Sequence, residues 1–360
     1  MKHILGSCRR AAWPVFIHMT LTVLLAPVAR AERDVLDRPA LHSVRAPSSV
    51  MLAIATAGQR LVAVGERGII IYSDNGGQSW QQASVPVSVS LTGVRFADAA
   101  NGWAVGHSGV VLHTRDGGRT WSRQLDGRGA AQAVLAAARA GQAGADAGKA
   151  LENAERMVQE GPSKPFFDAY FFDARNGMIV GAFGLILTTR DGGASWQSAQ
   201  DRIDNPRDKH LYAIEVAGKR CYIAGEQGAL FRSDDCRTRF ESVATPYAGT
   251  YFGAIVSGPE TLLVYGMRGN AYRSEDGGAS WSKSTIPTTN SLTAGTRLRD
   301  GTLLVADDTG QLYRSVDAGR SFARVPNGQA SPVTGVVQSA SGQLYFSGVR
   351  GVTRIALNTP

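Results

Sequence analysis

Residues 91–121 read LTGVRFADAANGWAVGHSGVVLHTRDGGRTW. Short apolar runs alternate here with turn residues, and the stretch ends on a Gly-rich hairpin closed by Trp121. The runs have strand length, and they are bounded by Asn101-Gly102, by Gly106 and Gly109, and by Asp116-Gly117-Gly118. This is the punctuation of a β-meander rather than of helices.

The last eight residues of the stretch recur along the chain. They appear as SDNGGQSW (73–80), TRDGGRTW (114–121), TRDGGASW (189–196), SDDCRTRF (233–240), SEDGGASW (274–281) and SVDAGRSF (315–322). The shared pattern, Ser/Thr-x-Asp-x-Gly-x-x-Trp/Phe, is an Asp box. Its closing aromatics Trp80, Trp121, Trp196, Phe240, Trp281 and Phe322 are 41, 75, 44, 41 and 41 residues apart. The long interval resolves into one ordinary repeat plus an insertion of about 34 residues.

A second signal keeps step with the first. Eight residues before each opening Ser/Thr stands Gly65, Gly106, Gly181, Gly225 or Gly266, with Asp307 in the sixth copy. Gly348 opens a seventh copy that has no octapeptide before Pro360. A period of about 40 residues holding four short strands marks a propeller blade. The sequence therefore predicts an all-β fold, a seven-bladed β-propeller with a short α-helical hairpin inserted in it. The last blade lacks an outer strand, and Leu41–Ala46 is predicted to supply it, pairing the two chain ends and removing an exposed edge.

The chemistry of the octapeptide is that of a turn. A carboxylate accepts hydrogen bonds from its own loop, Gly permits positive φ, and the aromatic buries apolar surface. Asn75, Asp116, Asp191, Asp235, Asp276 and Asp317 are thus read as structural residues of hairpins between third and fourth strands. One carboxylate per blade on an outer rim does not converge on a substrate or a metal ion. In the fourth copy, Cys236 and Arg237 replace two glycines. With export to an oxidising compartment, a Cys221–Cys236 disulfide is expected to hold that weakened hairpin.

Export is read from the N-terminus. Lys2, Arg9 and Arg10 precede an uncharged, largely apolar run from Ala11 to Val28, followed by Ala29-Arg30-Ala31. This predicts a signal peptide over residues 1–31, cleaved after Ala31, and a single propeller domain over 32–360. Cleavage removes four positive charges and no negative one, so the net charge falls from +8 to +4. A mildly basic exported chain gives no case for nucleic acid. The expected location is the periplasm or otherwise outside the cell.

The insertion, residues 128–162, follows the second blade. Two Ala-rich segments, 130–140 and 146–160, read as helices separated by Gly141–Gly144 and ended by Gly161-Pro162. Val134, Leu135, Leu151, Met157 and Val158 form a thin apolar stripe fit to rest on the propeller or on a partner.

Residues 91–121, and FFDAYFFDARNGMIVGAFGLILTTRDGGASW (166–196), resemble the photosystem II stability and assembly factor family of Asp-box propellers. The likeness runs from about residue 45 to 357. It implies a seven-bladed propeller outside the cytoplasm that helps to assemble a membrane complex, with an arginine patch on one face touching the client. The insertion departs from that pattern.

Candidate binding residues come from the loops between second and third strands, which read GERG, GHSG, GAFG, GEQG, GMRG, DDTG and GVRG. These quartets gather Arg67, His107, Arg268 and Arg350 on one face, and the insertion belongs to the same face. Arginine is suited to bidentate capture of carboxylates. The function expected is a non-enzymatic binding or assembly scaffold for a protein partner, a membrane complex or a transporter. It would be peripheral to the membrane at most, with no nucleic acid and no cofactor.

The rival reading is a glycoside hydrolase of the sialidase-like type, since those enzymes also carry Asp boxes. A two-carboxylate mechanism needs acids flanking the scissile bond. The quartets offer Glu66, Glu226 and Asp307–Asp308, all in separate blades, and no early Arg-Ile/Leu-Pro motif is present. The sequence also has no metal-spaced His/Cys set, no phosphate loop and no Gly-x-Ser-x-Gly turn.

Overall fold

A computed structural model of the chain describes residues 34–141, 147–326 and 331–356. The predicted signal peptide and its cleavage point lie outside the described residues. Seven antiparallel sheets follow one another along the chain, each a simple meander. Blade 1 is formed by Met51–Ala57, Arg60–Gly65, Ile70–Ser73 and Gln81–Gln82. Five further sheets repeat this four-stranded order, and the seventh has three strands, Val333–Gln338, Leu344–Gly348 and Gly351–Ile355.

The first strands of blades 2 to 6 are Leu91–Phe96, Phe166–Phe171, Leu211–Ala217, Tyr251–Val256 and Leu292–Arg297. Each first strand touches those of the neighbouring blades in cyclic order, and that of blade 7 touches that of blade 1. The ring is therefore closed, with the first strands around its axis. Second strands are the driest: Arg60–Gly65 and its counterparts are buried almost throughout, because they lie between sheets on both faces.

The closure differs from the one the sequence suggested. Leu41–Ala46 forms no strand and pairs with no part of blade 7. Gln82 of blade 1 holds it instead, accepting from the Ser43 N–H at 2.8 Å and donating to the Leu41 carbonyl at 2.9 Å. The Ala40 N–H donates to the Val85 carbonyl, and Pro47, which has no N–H, starts a short 3-10 turn at Ala46–Ser48. Packing and side-chain bonds close the ring. Tyr345 of blade 7 is buried in one cluster with Met51, Leu61 and Ile71 of blade 1. Thr334 Oγ1 donates to the Met51 carbonyl at 2.7 Å. Thr92 and Thr293 make the same bond to the next blade, at Phe166 and Val333.

Two helices, α1 (Gly127–Arg139) and α2 (Ala147–Glu160), stand between blades 2 and 3. Asp126 caps α1 by accepting from the N–H groups of Arg128 and Gly129. The apolar stripe faces the propeller: Ala130, Ala131 and Met157 are buried against Trp103, Val105, Val111 and Phe166. No helix among the described residues is long and apolar enough to cross a membrane.

Candidate functional site

The two kinds of loop occupy opposite faces. Asp boxes join third to fourth strands, and quartets join second to third, as a meander requires. In the box of blade 2, Asp116 Oδ1 accepts from the N–H groups of Arg119 and Thr120, and Oδ2 from the Thr120 hydroxyl. Thr114 Oγ1 accepts from the Gly118 N–H at 2.9 Å. Asn75 reproduces the arrangement with an amide. The hydroxyls and N–H groups of Ser195 and Ser280 hold Asp191 and Asp276 down at about 2. Both carboxylate oxygens of Asp116, Asp191 and Asp276 are engaged by their own turn, which is the geometry of a structural residue.

The boxes also join blades. Arg60 of blade 1 donates to the Asp116 and Gly117 carbonyls of the next box, both at 3.0 Å. Trp103 and Gln124 reach the Gly192 carbonyl, Arg232 reaches Gly277, and Arg273 reaches Ala318. The aromatics Trp121, Trp196, Phe240 and Phe322 are buried, and Trp80 and Trp281 are half-buried. In the fourth box Cys236 takes φ 59°, a left-handed conformation for which Gly is usual, and is bonded to Cys221 with Cα atoms 5.1 Å apart.

The quartet face carries the predicted binding residues. Arg67, His107, Arg268 and Arg350 are all exposed on it. No carboxylate of the described residues stands within ion-pair distance of the three arginines. Glu226, a conceivable partner by sequence, is turned to His210, whose N–H donates to it at 2.8 Å. The third quartet position is a repeated station. Arg67, Ser108, Phe183, Gln227 and Arg268 occupy it with φ between 52° and 57°. His107 sits one residue earlier than this station.

Sequence reasoning missed two groups near the axis. The first runs across blades 2 to 4. Asp168 Oδ1 stands 3.6 Å from Arg95 Nε and accepts from the Ala169 N–H, and Oδ2 accepts from Ile214. Glu215, on the next blade, lies near both but accepts no hydrogen bond from the described residues. Burial pushes its carboxyl up to about 7, opposed by Arg95 and aided by Asp168. Arg95 keeps 41% of its side chain exposed, so this is a wet bore rather than a dry core. The bore thus holds two acids, Asp168 and Glu215, besides the quartet acids that the sequence reading weighed. Asp168 is committed to backbone and Arg95, which leaves one free carboxyl.

The second group is aromatic. At the second residue of the first strand, blades 2, 6 and 7 carry the bonded Thr92, Thr293 and Thr334, whereas blades 3, 4 and 5 carry Phe167, Tyr212 and Phe252. Tyr212 lies 5.0 Å from Phe167 and 5.9 Å from Phe252, ring centre to ring centre. His210 extends the row to Phe183, 4.8 Å away. Lining up the first strands at the blade period is the sequence signal that finds both groups, since Arg95, Tyr170 and Glu215 share the fifth position. Among the described residues no cluster of His, Cys, Asp and Glu is arranged to hold a metal ion.

A closed ring with structural Asp boxes on one face, and on the other exposed arginines that have no carboxylate partner among the described residues, defines an Asp-box β-propeller. Within that class, the chain belongs to the photosynthesis system II assembly factor YCF48 family, whose model matches residues 46–142 and 149–340. It is 34% identical over 68 residues to the photosystem II assembly lipoprotein Ycf48 of Synechococcus sp. (strain CC9902). That match spans 19% of this chain and 20% of the relative's length. Among solved structures, YCF48 bound to D1 peptide superposes with a TM-score of 0.61 at 16% identity, over 91% of this chain and 100% of that one. YCF48 from Cyanidioschyzon merolae gives 0.65 at 14%, over 86% and 96%. The WD40 propeller domain of Doa1 gives 0.64 at 8% identity, over 90% and 97%, so these likenesses speak for the fold.

Proposed function

We propose that the protein is a non-enzymatic assembly scaffold that works outside the cytoplasm after signal cleavage near Ala31. It captures an acidic segment of a membrane-complex subunit on its quartet face. The observation that carries this reading is the set of exposed Arg67, Arg268 and Arg350, on one face of a closed ring and without carboxylate partners among the described residues. An exposed arginine kept free of internal pairing presents its planar donor fork to a carboxylate from outside. The family and the peptide bound by one structural relative support a protein segment as the ligand.

The bore is poorly equipped for glycoside hydrolysis, because Asp168 is occupied by Arg95 and two N–H groups and only Glu215 is free. Affinity capture from detergent-solubilised native membranes tests the reading. The mature protein should retain an integral membrane complex, and the triple variant Arg67→Ala, Arg268→Ala, Arg350→Ala should lose it. Equal recovery by both proteins rejects the arginine face as the site.

A further inference from the structure

The arginine station is occupied in blade 3 by a phenylalanine. Phe183 has the same backbone conformation as Arg67 and Arg268, φ 56° against 55° and 57°, so the loop presents its side chain as theirs are presented. Half of Phe183 is exposed. It does not stand alone. Its ring packs edge-on against His210, and its N–H donates to His210 Nδ1 at 3.0 Å. His210 continues into Tyr212 and Phe252, all three half-buried. On the outer side, Lys164 Nζ lies 4.7 Å from the centre of the Phe183 ring. Phe183 also lines a cavity of about 890 Å³ between the two helices and blades 3 and 4, whose wall is mixed: Val134, Met157, Leu185 and Ile203 are apolar, and Lys149 and Asp201 are charged.

A contiguous aromatic row, open to water and leading to a cavity of ligand size, departs from the rule that single exposed apolar residues are scattered. It is continuous with the proposed capture face and lies on the side of the ring that has no exposed station arginine. We infer that the captured segment is bipartite. Its acidic part lies over Arg67, Arg268 and Arg350, and one bulky apolar or aromatic side chain seats on Phe183, His210 and Tyr212 at the cavity mouth. The occupant is an extended peptide because the stations are spread around the ring, so a compact ligand cannot reach both halves. The cavity roof is the insertion, so this preference belongs to chains that carry it. The inference rests on the reading above and adds a determinant that the arginines do not supply.

Selection from a phage-displayed library of random dodecapeptides separates the two. On the mature protein, enriched peptides should carry acidic residues together with a Phe, Trp, Leu or Met. On Phe183→Ser, acidic enrichment should persist and the apolar preference should disappear. Phe183 is half-exposed, so the fold survives the change, and an unaltered melting temperature verifies this. A selected synthetic peptide should lose about tenfold in affinity when its apolar residue becomes Ser, and lose nothing further on the variant. Acidic enrichment without an apolar preference overturns this inference and leaves the capture face standing. An apolar preference unchanged by Phe183→Ser overturns it as well. Absence of acidic enrichment overturns the reading on which it rests.

Discussion

The hydroxyl of Tyr345, in the last blade, donates at 2.8 Å to the carbonyl of Gly76, in the Asp box of the first blade, across 269 residues of sequence. The bond has the same form as those from Arg60, Trp103, Arg232 and Arg273 to the next box, so the seam is fastened as the other joints are. Among the described residues no strand is exchanged between the chain ends. The Asp box thereby acts as an internal lock: its side chains fix its own turn, which leaves its carbonyls facing the neighbouring blade.

Tyr345→Phe keeps the buried ring and removes the seam bond. The Gly76 carbonyl loses its donor, and stability should fall by about 1–2 kcal/mol. Urea unfolding followed by tryptophan fluorescence measures this. An unchanged midpoint means that the seam is held by packing alone.

The fourth box lacks the glycines that shape the others, and its left-handed position is held by Cys236 bonded to Cys221. The mature protein should present no maleimide-reactive thiol until it is denatured and reduced. Replacing both cysteines by Ala should cost about 3 kcal/mol, the scale for a loop of this length. Modification of both thiols in the unreduced protein contradicts the bridge.

Glu215 titrates near 7 in the fold, against an ordinary carboxyl near 4.5. Between those values the folded chain retains a proton that the unfolded chain has released. The stability difference between Glu215→Gln and the parent should therefore be smallest at pH 4, grow in the variant's favour from pH 4.5 to 7, and level off above. Water in the bore trims the plateau to about 1–3 kcal/mol. Paired denaturation curves from pH 4 to 8 check it, and a difference independent of pH refutes it.

If the bore does no chemistry, a panel of aryl glycosides should show no turnover between pH 4 and 8. Turnover abolished by Glu215→Gln would establish the hydrolase reading instead.

The blade period was legible because each Asp box brings its whole chemistry within eight residues. The quartets were legible because Gly65 and its counterparts keep step with those boxes. The closure was not, since Leu41–Ala46 has the composition of an outer strand, and its fate is set by Gln82 and by Pro47, which composition does not reveal. The bore group escaped for a different reason. Arg95, Asp168 and Glu215 come from three blades and three residue types, and only the register of the first strands, fifth position for Arg95 and Glu215 and third for Asp168, brings them together. Phe183 was equally hidden, because an apolar residue in a quartet looks like a core residue until the left-handed turn is seen to carry it outward.

The capture face is tested most directly by hydrogen–deuterium exchange on the mature protein, alone and in complex with the membrane complex it retains. Protection on binding should fall on the quartets 65–68, 266–269 and 348–351 and leave the Asp-box hairpins unchanged. Protection confined to the Asp-box hairpins or the outer strands would contradict the account.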